Sequence, residues 1–307
     1  MQQLDIQESR IALVMSSAIG DSLLTMIVAN NLRTHGFNVT AFGKQCYALR
    51  EWFPHIDVQP ELDGTDPTLS LARFDTVIQL HRDRPFTHLT RLHRNAVILD
   101  YLCDSSSRDS LATRLTQFCS VEFGIDNPSK SNGIQPPAAL VHRRHIKRVA
   151  IHPTASTADK CWLQDRFVKL ALKLKKEGFD PQFVVAPEER EKWRELEHVG
   201  IQVPDLGSLE NVAAWIYESG WFIGNDSGLG HLASSLNVPT LSLFMRHSLA
   251  RTWRPDWGVG KVLIGSAGLP SGRLKERFWK HALTVPRVIR AFEKLRHDAT
   301  LKDPALK

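Results

Sequence analysis

The sequence predicts an α/β chain in two halves, each a doubly wound parallel sheet flanked by helices. Three observations lead there. Short apolar runs alternate with amphipathic stretches along most of the chain. The runs are rich in β-branched residues and almost continuously apolar, the pattern of parallel strands covered on both faces. The alternation breaks once, across residues 126–147, and then restarts. At 307 residues and 42% hydrophobic content, the chain is long enough to bury two cores of ordinary size.

In order, the first half reads as strands at "RIALVMS" (Arg10 to Ser16), "NVTAFG" (Asn38 to Gly43), "FDTVIQL" (Phe74 to Leu80) and "NAVILD" (Asn95 to Asp100), with helices between. The break "DNPSKSNGIQPPAALVHRRHIK" carries three prolines, little periodicity and a basic end, and reads as an interdomain linker. Domains are therefore expected at 1–135 and 136–307. The second half continues with "RVAIHP" (Arg148 to Pro153), a helix near Gln164 to Glu177, "PQFVVAP" (Pro181 to Pro187) and a helix near Leu209 to Glu218. It ends with "WFIG" (Trp221 to Gly224), a helix from about Gly228, "PTLSLF" (Pro239 to Phe244) and a last helix near Val285 to Leu295, which is expected to cross back to the first domain. Two such halves place ligands at the carboxyl ends of the strands, in a cleft between domains.

The formal charge of +6 is mildly basic. It suits phosphate-bearing ligands or an anionic membrane surface and falls short of a nucleic-acid-binding composition. The four cysteines, Cys46, Cys103, Cys119 and Cys161, form no CxxC pair and read as reduced thiols, which favours a cytoplasmic location. The apolar stretch Ile11 to Leu32 fails as a leader or a span: Asp5 and Glu8 spoil a positive n-region, and Gly20-Asp21 interrupts the run. Attachment to a membrane would then be peripheral, at its surface.

Four segments carry candidate chemistry. In "IGNDSGLGHLASSLNVPTLSLF" (Ile223 to Phe244) a strand ends, Asn225-Asp226-Ser227-Gly228 turns, and a helix opens with free backbone N–H groups, a place for a diphosphate. Asp226 and Ser227 could equally be plain helix caps, and His231, on the same helix face four positions after Ser227, could be structural. "IHPTASTADKCW" (Ile151 to Trp162) leaves a strand for a hydroxyl-rich loop in which Lys160 supplies a flexible cation; its bland reading is a polar loop with a solvated lysine. "MSSAIGDSLLT" (Met15 to Thr25) places Gly20-Asp21 after the first strand, without the GxGxxG of a dinucleotide site, and Asp21 alone reads as a helix-start carboxylate. A basic cluster, His81, Arg82, Arg84, His88, Arg91, His93 and Arg94, follows the third of these strands; it is either a site for phosphate and carboxylate groups or a solvated face. No two aspartates are separated by one residue and no HExxH occurs, so neither a metal nor another cofactor is expected.

"DSGLGHLA", with "VPT" after it, resembles the Asp-Ser/Thr-Gly-x-x-His-x-Ala signature of the glycosyltransferase family that contains the ADP-heptose:lipopolysaccharide heptosyltransferases. The resemblance runs through the chain: Gly-Asp early, hydroxyls and a Lys shortly before a Trp in the middle, Asp-Ser-Gly-x-x-His late. It implies a GT-B fold and an inverting transfer from ADP-heptose or a similar nucleotide sugar to a lipid A-core acceptor. Asp226, Ser227, Gly228 and His231 would then hold the donor, with Ser156 and Thr157 near its phosphates. Lys160 would offset the charge on the departing ADP, and Asp21 would be the catalytic base. "APEEREKW" resembles the family's nucleoside-side turn, where Glu188 or Glu189 accepts a ribose hydroxyl or merely favours a helix start. Arg82, Arg84, Arg91 and Arg94 would meet the acceptor's phosphates. Arg143, Arg144, Lys147 and Arg148, with Arg287, Arg290, Lys294 and Arg296, would support contact with the inner-membrane surface; no nucleic-acid partner is expected. One departure is Met26, where many relatives have proline. Two other classes share this architecture: a nucleotide-sugar epimerase or hydrolase, and a non-catalytic nucleotide-sugar binder.

Overall fold

The structure, a computed structural model, describes residues 9–62, 67–265 and 278–302. The chain divides into two compact units, Met1–Pro137 and Ala138–Lys307.

The first unit holds a five-stranded parallel sheet of β1 (Arg10–Val14), β2 (Asn38–Phe42), β3 (Asp57–Gln59), β4 (Thr76–Gln79) and β5 (Ala96–Ile98), in the order β3-β2-β1-β4-β5. Ala12 pairs in register with Thr40 on one side and Val77 on the other. The winding reverses between β1 and β4, the switch point at which open α/β sheets bind ligands. α1 (Ile19–Thr34) follows β1 and buries residues all round, because it packs against both the sheet and α5 (Leu111–Phe123). Asp21 in its first turn sits at the positive end of the helix dipole. Gly36, at φ 91°, takes the chain out of α1 into β2. α5 is capped at both ends: Ser110 Oγ accepts from the Thr113 amide, and Gly124 closes it at φ 64°. Between them lie the short helices α2 (Lys44–Ala48), α3 (Pro67–Leu71) and α4 (Leu89–Leu92).

The second unit holds β6 (His145–His152), β7 (Asp180–Phe183), β8 (Ser219–Asn225), β9 (Thr240–Phe244) and β10 (Gly260–Ile264), all parallel, in the order β10-β9-β8-β6-β7. Its switch point lies between β6 and β8, where His152 pairs with Gly224. α6 (Gln164–Lys176) lays Phe167, Leu170, Ala171 and Leu174 on the core at helical spacing. α7 (Leu209–Tyr217) starts at Ser208, whose Oγ accepts from the Asn211 amide. α8 (Gly228–Ser235) follows β8, and α9 (His247–Trp253) follows β9. α10 (Val285–Lys302) packs Phe292 against Trp221 and Phe179, within the second unit.

The expected strands are present, and two more lie at sheet edges. β3 offers one apolar residue in three, and β10 is half-exposed along most of its length, so neither shows the continuous apolar run of a central strand. The Pro-rich segment is tied down on both sides. Ser129 and Ser131 bond the side chains of Asn31 and Asn30, and Gln135 donates its amide to the Trp52 carbonyl. Beyond the prolines, Arg143 donates its amide to Tyr217, its Nε to the Gly220 carbonyl, and stacks on Trp221. Gly220 permits a close approach here: a Cβ would sit 2.1 Å from the Ile146 carbonyl oxygen, where the β6/β8 register shifts.

Candidate active site

Two clusters of polar side chains form, one at each switch point. In the first unit, the carboxylate of Asp21 rises from the first turn of α1. Its Oδ2 accepts from the Ser16 hydroxyl at 2.9 Å and lies 2.9 Å from His81 Nε2, at the end of β4; an Arg84 guanidinium nitrogen lies 3.8 Å from the same oxygen. Ser16 also accepts from the Ala18 amide, which shapes the turn between β1 and α1. Burial alone would push the Asp21 carboxyl up, but His81, Ser16 and Arg84 together outweigh it and hold the group below the ordinary carboxylate value. Asp21 is thus ionised near neutrality.

The basic cluster separates into parts. His81 is buried on Asp21, and His93 is buried with Nε2 against the Phe74 carbonyl, so neither is available to a phosphate. Arg82, Arg84, Arg91 and Arg94 are exposed; Arg82 Nε lies 4.0 Å from Asp100. His81, Asp100 and Cys103 also bring three potential metal-ligand atoms within 4.8 Å of one another. Burial, with the charges of Asp100 and Asp21, pushes the Cys103 thiol up to about 12, so it is protonated there.

In the second unit, the loop after β6 and the turn after β8 emerge side by side. Asn225, only 1% exposed, joins them: its Oδ1 accepts from the Trp162 amide at 3.0 Å and its Nδ2 donates to the Pro153 carbonyl at 2.7 Å. The segment before α10 braces the same loop, Lys280 Nζ bonding Ala158 and Trp279 Nε1 bonding Asp159 through their carbonyls. Lys160 Nζ lies 3.4 Å from Asp226 Oδ2. Burial pushes the Asp226 carboxyl up, and Lys160 offsets part of that rise. Ser227 is the N-cap residue of α8, yet its side chain does not bond the helix, and its Oγ is buried with no partner among the described residues. An uncapped helix start with a buried, unsatisfied hydroxyl is suited to an anionic oxygen.

Around this pair the other expected residues spread out. Gly228 opens α8, and His231, buried one turn later, packs edge-on against Trp257. Ser156 and Thr157 are exposed in the loop after β6. Glu188 and Glu189 begin the 3-10 stretch that follows β7, the next strand over. Nothing in the sequence marks the two bonds of Asn225 within its turn, and His81 is indistinguishable there from its basic neighbours.

A family model described as glycosyltransferase family 9 (heptosyltransferase) matches residues 113–273. The chain is 29% identical over 165 residues to lipopolysaccharide heptosyltransferase 3 of Escherichia coli (strain K12), covering 48% of this chain and 46% of that relative, about half its length. Among solved structures, the glycosyl transferase family 9 protein from Veillonella parvula DSM 2008 superposes with a TM-score of 0.75 at 17% identity, covering 96% of this chain and 98% of that one. E. coli ADP-heptose lps heptosyltransferase II gives 0.70 at 16%, covering 93% and 98%. These likenesses give the architecture, two parallel α/β units of the GT-B type. The matched family segment takes in both Lys160 and the Asp226 turn and exceeds half of the sequence, so the chain belongs to glycosyltransferase family 9, the heptosyltransferase family.

Proposed function

We propose that the chain is an inverting glycosyltransferase that moves a heptose, or a related sugar, from an ADP-sugar to a lipopolysaccharide core acceptor. The observation that supports this best is the pairing of a fixed cation, Lys160, with the open start of α8, where Ser227 Oγ lacks a partner among the described residues. In this reading the donor diphosphate takes the first-turn amides of α8 and the Ser227 hydroxyl. Ser156 and Thr157 add hydroxyl contacts, Glu188 or Glu189 takes a ribose hydroxyl, and His231, one turn into α8, completes the donor set. Asp226 would repel a phosphate, so its task is to hold Lys160 and to accept a sugar hydroxyl.

Asp21 is the base. It takes the proton of the acceptor hydroxyl as that oxygen attacks the anomeric carbon; the bond from that carbon to the β-phosphate oxygen breaks, and Lys160 meets the charge left on ADP. The first unit serves the acceptor, with Arg82, Arg84, Arg91 and Arg94 available to its phosphates, and the second serves the nucleotide. We assign the enzyme to the cytoplasm, at the inner-membrane surface. No described helix is long and apolar enough to cross a membrane. Arg144, His145, Ile146 and Lys147 form an exposed basic strip at the start of β6. Arg143 and Arg148 leave that surface, since both are buried against tryptophans.

A thermal-shift panel of ADP, UDP, GDP, CMP and ADP-heptose tests the assignment on wild type and Lys160→Ala. A ligand at a hundred times its Kd stabilises the native state by about 2.7 kcal/mol. The reading expects selective stabilisation by ADP and ADP-heptose that weakens in the variant. A preference for another nucleotide would remove heptose from the assignment, and no response would favour a binder of something else.

A further inference from the structure

We propose that His81 is a positioning residue for Asp21: held between Asp21 and Asp100, it fixes one carboxylate oxygen and leaves the other to take the acceptor's proton. The proposal rests on the reading of Asp21 as the base.

Two hydrogen-bonding groups and one guanidinium converge on the carboxylate, and all three address one atom. His81 Nε2 and Ser16 Oγ each lie 2.9 Å from Oδ2, and Arg84 lies 3.8 Å from it. No described residue bonds Oδ1. A carboxylate held at one oxygen has lost its rotational freedom, and its free oxygen presents lone pairs in one fixed direction. That is what a general base requires, since its distance and angle to the proton set its efficiency.

The far side of the imidazole explains how the ring is held. His81 Nδ1 lies 3.8 Å from Asp100 Oδ1, in the turn after β5, so the ring stands between two carboxylates. With Nε2 donating to Asp21, a proton on Nδ1 would face the Asp100 anion. The groups around it are Asp21 on α1, Ser16 before it, Arg82 and Arg84 after β4, and Asp100 and Cys103 after β5, with Arg114 of α5 acting on Cys103. The ring is buried, so it holds the carboxylate from behind and is not itself an acceptor contact. Its position follows from topology: β4 lies beside β1, so the residue leaving β4 meets the helix that leaves β1.

Geometry and charge are separable by substitution. Gln at position 81 can still donate a hydrogen bond toward Oδ2 but carries no charge; Leu does neither. The His81 hydrogen bond, and after it the ring's charge, lower the Asp21 pKa, so removing the ring must move the acid limb of kcat/KM to higher pH. Groups that hydrogen-bond or neutralise a carboxylate lower its pKa, so a limb displaced to higher pH is the expected readout. His81→Leu should also lower kcat roughly tenfold to a hundredfold, the scale of a misplaced catalytic group. His81→Gln, which keeps a hydrogen bond, should recover most of kcat with a smaller displacement of the limb than His81→Leu, and ADP affinity should be unchanged in both. Should the Leu variant not fold, the Gln variant carries the test through its limb alone. A wild-type limb with wild-type turnover in His81→Gln overturns the proposal, provided Asp21→Ala is inactive in the same assay. Transfer by Asp21→Ala would instead overturn the assignment of the base.

Discussion

Asn225 ties the loop that carries Lys160 to the turn that carries Asp226, and its removal has a calculable effect. Asn225→Ala leaves the Trp162 amide and the Pro153 carbonyl buried without partners. Each unsatisfied buried group costs about 1–3 kcal/mol, so a central value near 4 kcal/mol is expected for the two. In a domain of this size each kcal/mol moves Tm by roughly 2–4 °C, which puts the loss at about 8–16 °C. Tryptophan fluorescence reports it selectively, because all eight tryptophans but Trp52 lie in the second unit. ADP affinity should fall by about tenfold or more, as binding must then order the loop again. Asn225→Asp keeps the shape and still accepts from Trp162, but sets a carboxylate oxygen against the Pro153 carbonyl. It should be destabilised at neutral pH and recover as the carboxyl gains a proton that can donate. A Tm within about 2 °C of wild type together with unchanged ADP affinity in Asn225→Ala would refute the tie.

Three further outcomes follow from the same geometry. Lys160→Ala strips the buried Asp226 of its counterion and raises its folded pKa further above the unfolded value. The folded state then holds the extra proton, so the variant should be stable in mild acid and lose stability as pH rises, and Asp226→Asn in that background should restore stability at pH 7 in urea titrations. The folded Asp21 carboxyl is instead held low, so its contribution to stability and the ionised base persist above the ordinary carboxylate range; kcat/KM should therefore show no acid limb near neutrality, and a limb near the ordinary histidine value would point to an imidazole base. Gly220→Ala would press a methyl onto the Ile146 carbonyl and should cost about 1–3 kcal/mol or more in the same urea titration, while an unchanged midpoint would mean that the bulge between β6 and β8 relaxes freely.

The central strands were legible because burial on both faces forces an unbroken apolar run, as in β1 and β8, whose residues beyond Arg10 are all buried. Edge strands escape that demand, and β3 and β10 went unread for that reason. Amphipathic helices were equally readable: the spacing of Phe167, Leu170, Ala171 and Leu174 marks one face of α6. What local pattern does not carry is strand order. The meeting of Lys160 with Asp226, and of Asp21 with His81, follows from β8 lying beside β6 and β4 beside β1. Each partner of the first pair lies in a segment whose residues suit phosphate chemistry, but their contact is a property of the sheet. His81 and Asn225 show the limit more sharply. A histidine among arginines reads as part of a charged face until its burial is known, and an asparagine in a turn reads as a turn former until its two bonds are seen.

Acceptor-dependent transfer and the role of Asp21 as base are tested together in one assay. Wild type and Asp21→Ala are incubated with ADP-heptose, with and without a heptose-deficient core lipopolysaccharide, while ADP release and acceptor mass are followed together. Wild type is expected to release ADP in step with the addition of one heptose to the acceptor, and Asp21→Ala to bind ADP-heptose as wild type does yet transfer nothing. Isomerisation or hydrolysis of ADP-heptose without acceptor, or transfer by Asp21→Ala near the wild-type rate, would contradict this reading.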